Sequence, residues 1–188
     1  MGEQSRRGRG LNMQCARSAT SADAASPDAI ERVVTFLRGI GLDIEPGVLD
    51  APCFLPGVCI RRGAIVFDRT RLLAAGDLLH EAAHLAVTPA RHRDALDGSV
   101  RPDQHHPHGG EPEAIAWSFA AALAIDLPLE ELFHARGYNG QAQALALTYA
   151  IGVYPGAAGL VEAGMAAATQ ARCDGVEPYP RMLRWLRE

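Results

Sequence analysis

Apolar residues recur at helical spacing in several stretches of this chain, separated by polar and Gly/Pro punctuation. Ser26-Pro27 reads as an N-cap and first helical position, and Ile30, Val33, Val34 and Leu37 then form one stripe, ended by Gly39 and Gly41. Residues 42–56 carry Pro46, Gly47, Pro52 and Pro56 and read as a loop. Val58-Cys59-Ile60 and Ala64-Ile65-Val66-Phe67, with Arg61-Arg62-Gly63 between, predict a β-hairpin. A connector, Asp68 to Ala75, leads to a helix through Val87 that is apolar on most sides, with Asp77 as its N-cap.

Residues 89–110 form a long polar loop, including Asp94, Asp97, His105, His106 and His108. Glu111-Pro112-Glu113-Ala114 opens a helix carried by Ile115, Trp117, Phe119, Ala120 and Leu123 until Pro128 breaks it. Shorter helices are predicted over 129–133 and 141–151, and another from Gly156 to about Gln170. A last amphipathic helix spans 180–186, with Met182, Leu183, Trp185 and Leu186 docked and its arginines in solvent. The expected class is α+β, mainly α, with a small hairpin or sheet. The expected organisation is a disordered leader over 1–25, rich in Gly, Arg, Ser and Ala, then one domain over 26–188.

Composition narrows the function. A net charge of −4 gives no electrostatic reason to expect nucleic acid or an anionic membrane as partner. No stretch approaches 18 uninterrupted apolar residues, and no apolar core follows Arg6, Arg7 and Arg9, so neither a membrane span nor an export signal is expected. The four cysteines, Cys15, Cys53, Cys59 and Cys173, are too few and scattered for a disulfide scaffold, which suits a cytoplasmic protein.

The chemistry concentrates in His80-Glu81-Ala82-Ala83-His84, a His-Glu-x-x-His pattern. On a helix His80 and His84 lie one turn apart on one face and can share a metal ion. Glu81 lies about 100° round the helix, placed to serve as general base toward a water without ligating. A buried helix does not hold two imidazoles and a carboxylate unless something satisfies them, and Zn²⁺ does so. Catalytic zinc takes a third protein ligand. The metzincin spacing is absent, because position 90 is Ala90 and position 87 is Val87. The choice falls on Glu113, whose helix has small residues at Ala116 and Ala120. Glu111, Asp94, Asp97, His105, His106 and His108 stay open as rivals.

A strand hairpin, His-Glu-x-x-His, then Glu-x-Glu-Ala opening an Ala-rich helix resembles the ImmA/IrrE family of small gluzincin-type metallopeptidases, over roughly residues 57–128. The resemblance implies a zincin-like fold, zinc held by His80, His84 and Glu113, Glu81 as base, and a peptide or protein substrate. The sequence departs from the family at Ile115, where Asn is usual, and at Ala83, where Gly is usual. Two other expectations stand beside it: a deformylase-like zinc amidohydrolase with Cys53 or Cys59 as ligand, and a non-catalytic module that zinc stabilises.

Overall fold

The computed structural model describes residues 25–50, 53–98, 110–168 and 175–188. All but Ala25 of the expected leader lies outside them, as do His105, His106 and His108. The architecture is α+β and mainly helical. Helices are α1 (Pro27–Gly39), α2 (Ala75–Val87), α3 (Ala90–Arg93), α4 (Glu111–Ala124), α5 (Leu129–Leu132), α6 (Ala142–Ala150) and α7 (Ala157–Glu162). Strands are β1 (Ile44–Pro46), β2 (Val58–Arg61) and β3 (Ala64–Phe67).

The stripe in α1 is real: Ala29, Ile30, Val33, Val34 and Leu37 are buried. The hairpin forms as well, with Cys59 opposite Val66, through a turn in which Arg62 (φ 48°) and Gly63 (φ 76°) are both left-handed. Two successive positive φ values match the right-handed twist of the flanking strands. Sheet order is β1-β3-β2, with β1 parallel to β3. This corrects one expectation: residues 44–46 pair as a strand within the stretch read as loop. β3 has a neighbour on both sides and so no free edge.

All thirteen residues of α2 are buried. A helix walled in on every side has no solvated face, which is why its sequence shows almost no polar stripe. Its broadest neighbour is α4, and α1, α5, β2 and β3 close the other sides. The approach is close because facing residues are small. A Cβ at Gly76 would meet the Glu131 carbonyl oxygen at 2.2 Å, so α5 crosses α2 one turn before His80 at a distance only glycine allows. Ser118 Oγ donates to the Ala114 carbonyl (2.9 Å) and reaches the Leu79 carbonyl (3.3 Å), tying α4 to α2.

Three local expectations fail. Asp77 is not a cap: α2 begins at Ala75, and Asp77 lies inside the first turn. The helix after Gly156 stops at Glu162. Residues 180–186 are not helical, because their backbone groups are committed to distant partners. Leu183 N–H donates to Met165 O (2.8 Å), the Trp185 carbonyl accepts Trp117 Nε1–H (2.8 Å), and Arg187 N–H donates to Ala86 O (2.9 Å). Of the segment's own arginines Arg181 is exposed and Arg184 half-buried, and Arg187 just beyond it is buried, 7% exposed.

Candidate metal centre

The site is built where α2 meets the first turn of α4. Helical spacing puts His80 and His84 on one face of α2, with ring centroids 4.9 Å apart. Their Nε2 atoms converge to 3.3 Å. Gly110 is the N-cap of α4, so Glu111 is its first residue. From there its carboxylate lies 3.5 Å from His80 Nε2 and 3.4 Å from His84 Nε2. These three ligand-capable side chains form a group that can hold a metal ion.

Glu113, the choice from sequence, is not part of that group. Two residues further along α4, its Oε2 accepts a 2.9 Å hydrogen bond from Arg187 Nη2. The reason is the helix itself: residues two apart project some 200° apart round the axis. Only one of the two glutamates can face α2, and it is Glu111. Glu113 faces α7, where a Cβ on Gly159 would come within 2.1 Å of Glu113 Oε1. Asp94 and Asp97 are exposed and outside the group. Cys53 and Cys59 are not joined in a disulfide and are also outside it.

No protein-family model, curated protein or solved structure matches the chain.

Burial sets the protonation of the site. Desolvation, then the charge of His84, pushes His80 down to about 3, and desolvation pushes His84 down to about 4. Both imidazoles are therefore neutral at pH 7, the form that offers a lone pair to a cation. Glu81 is 3% exposed; desolvation first, then the charges of Glu111 and Asp77, raises its carboxyl to about 8. Burial also raises Glu111. His80 Nδ1 and His84 Nδ1 are buried and have no partner among the described residues.

The group lies on the wall of a cleft of about 480 Å³. One side is Phe54, Leu55 and Pro56; the other is the turn Arg136–Asn139. Two features here were not anticipated from sequence. Asp77 Oδ1 is 2.9 Å from His134 Nε2, bracing that turn against α2. The ring of Tyr138 stands edge-on to His80, centroids 5.4 Å apart.

These pKa values predict how metal-free protein responds to pH. The histidines are lowered from 6.5 to about 3 and about 4, so their contribution is present above pH 6.5 and lost as pH falls toward their folded values. Glu81 is raised from 4.5 to about 8, so its contribution is present below pH 4.5 and lost as pH rises through 8. The opposing slopes cancel between about pH 6 and 6.5. Urea midpoints of chelator-treated protein are expected to peak there and fall on both sides. A bound dication favours the Glu81 carboxylate, so it should flatten the alkaline decline.

Proposed function

We propose that this protein is a zinc-dependent peptidase of zincin-like fold, related to the ImmA/IrrE family, with His80, His84 and Glu111 as metal ligands and Glu81 as general base. One observation carries the reading. His80 Nε2 and His84 Nε2 are 3.3 Å apart, and the Glu111 carboxylate meets them with different oxygens, Oε1 3.5 Å from His80 Nε2 and Oε2 3.4 Å from His84 Nε2. A tetrahedral zinc with ligand bonds of about 2.0–2.1 Å has ligand–ligand edges of about 3.3–3.4 Å. Each separation thus matches that between neighbouring ligand atoms round a zinc ion, with the carboxylate straddling the two imidazoles. A purely structural site is closed by four protein ligands. Here three converge among the described residues, on the wall of an open cleft.

A divalent cation held there supplies Lewis acidity, polarising a carbonyl and acidifying a water. Glu81, on the same helix as both histidines, accepts the proton of the attacking water and returns it to the leaving amine. The carboxyl raised to about 8 in the metal-free protein is drawn back toward its ionised form beside a dication, so Glu81 is a base at neutral pH. The cleft walls admit a peptide or protein substrate. Phe54, 60% exposed on the rim, offers an apolar contact for a side chain near the scissile bond. Among the described residues no helix is long and apolar enough to cross a membrane. With Cys53 and Cys59 not joined in a disulfide, the reading is of a cytoplasmic enzyme.

The test is metal analysis beside Glu81→Gln. Purified protein is expected to hold about one zinc per chain. The Gln variant should keep it while hydrolysis of a quenched-fluorescence peptide library falls about 10²–10⁴-fold. A protein without zinc, or a Gln variant as active as its parent, overturns the proposal.

A further inference from the structure

The geometry points to Tyr138 as the residue that donates a hydrogen bond to the substrate oxygen on which negative charge develops during attack. This rests on the peptidase reading above. The hydroxyl of Tyr138 is buried and has no hydrogen-bond partner among the described residues. Its ring is well used: it stands edge-on to His80 at 5.4 Å and against Phe133 at 5.4 Å. Packing of that kind explains an aromatic ring, and phenylalanine would supply it. It does not explain the oxygen, which loses water on burial and gains no hydrogen bond from the described residues.

The backbone makes the same case independently. Tyr138 (φ 54°), Asn139 (φ 52°) and Gly140 (φ 81°) are three successive left-handed residues. For an aromatic side chain that conformation is unfavourable and is kept only when its surroundings fix it. They do so from α2. Asp77, one turn before His80, is bonded to His134 Nε2, and a Cβ on Gly137 would come 3.0 Å from that same nitrogen. Gly137 N–H donates to His134 O (2.9 Å), and Gln141 N–H donates to Tyr138 O (3.0 Å). The turn is thus clamped on both sides of Tyr138, and the clamp originates on the helix that carries the histidines.

A preorganised donor that no ground-state partner occupies acts where charge appears only in the transition state.

Tyr138→Phe keeps the ring against His80 and Phe133 and removes only the oxygen. Four readings are compared with wild type: zinc content, melting temperature, kcat and KM on a quenched-fluorescence peptide mixture, and affinity of the zinc-loaded protein for acetohydroxamate. Zinc content should be unchanged and the melting temperature equal or higher. The expected kcat is about 10²–10³-fold lower, with KM within about twofold. Acetohydroxamate should bind about tenfold more weakly. A variant as fast as wild type, one that binds acetohydroxamate equally well, or one that melts markedly lower overturns the assignment. The last result would mean the hydroxyl is bonded within the fold. If wild type binds zinc but cleaves no peptide, the peptidase reading fails, and the acetohydroxamate comparison still decides the role of Tyr138.

Discussion

Glu111→Ala is expected to strip the protein of zinc while leaving it folded. The substitution removes one of three side chains whose donor atoms lie 3.3–3.5 Å apart. Losing an outer-sphere partner typically weakens metal binding about 10–100-fold, and loss of a direct ligand should exceed that. The carboxylate sits half-exposed at the start of α4, and burial already disfavours its charge. Metal-free stability should therefore change by no more than about 0.5 kcal/mol. Titration with zinc against a competing chelator measures the first effect, and urea unfolding of metal-free protein the second.

Glu113→Ala is expected to do the reverse. Arg187 is buried, and its Nε and Nη1 have no partner among the described residues. Its Nη2 donates to Glu113 Oε2 (2.9 Å) and to the Gly159 carbonyl (3.2 Å). Removing one member of a buried ion pair strands the other charge, at about 3–5 kcal/mol. In a chain of this size that lowers the melting temperature on the order of 10 °C. The folded fraction should still bind zinc, because none of the three converging side chains has changed. A folded Glu113→Ala without metal, beside a metal-replete Glu111→Ala, would reverse the assignment and restore the ligand chosen from sequence.

The contrast between these two glutamates shows where the sequence was legible. His80, Glu81 and His84 are fixed by local geometry, because residues four apart on any helix share a face. Their burial followed from the apolar flanks, Leu78 to Val87. Choosing between Glu111 and Glu113 needed the rotation of α4 about its own axis, which tertiary contacts set. Glu113 was decided by Arg187, 74 residues away, on a segment whose Met182–Leu186 spacing had suggested a helix. That segment extends instead because Met165, Trp117 and Ala86 claim its backbone groups. β1 escaped notice for a related reason: three residues with a proline carry no alternation, and their partner, β3, is parallel and remote in sequence. The Arg62-Gly63 turn, by contrast, was readable, because its backbone demands are met by residues adjacent in the chain.

The chain has two tryptophans, and both belong to one joint. Trp117 of α4 and Trp185 lie 5.5 Å apart at 81°, with Phe36 edge-on to Trp185 at 4.9 Å. All indole emission from this protein therefore arises at the seam between α4 and the strap over residues 175–188. Intrinsic fluorescence and the near-ultraviolet dichroism of the coupled rings report whether that strap is seated, with no label attached.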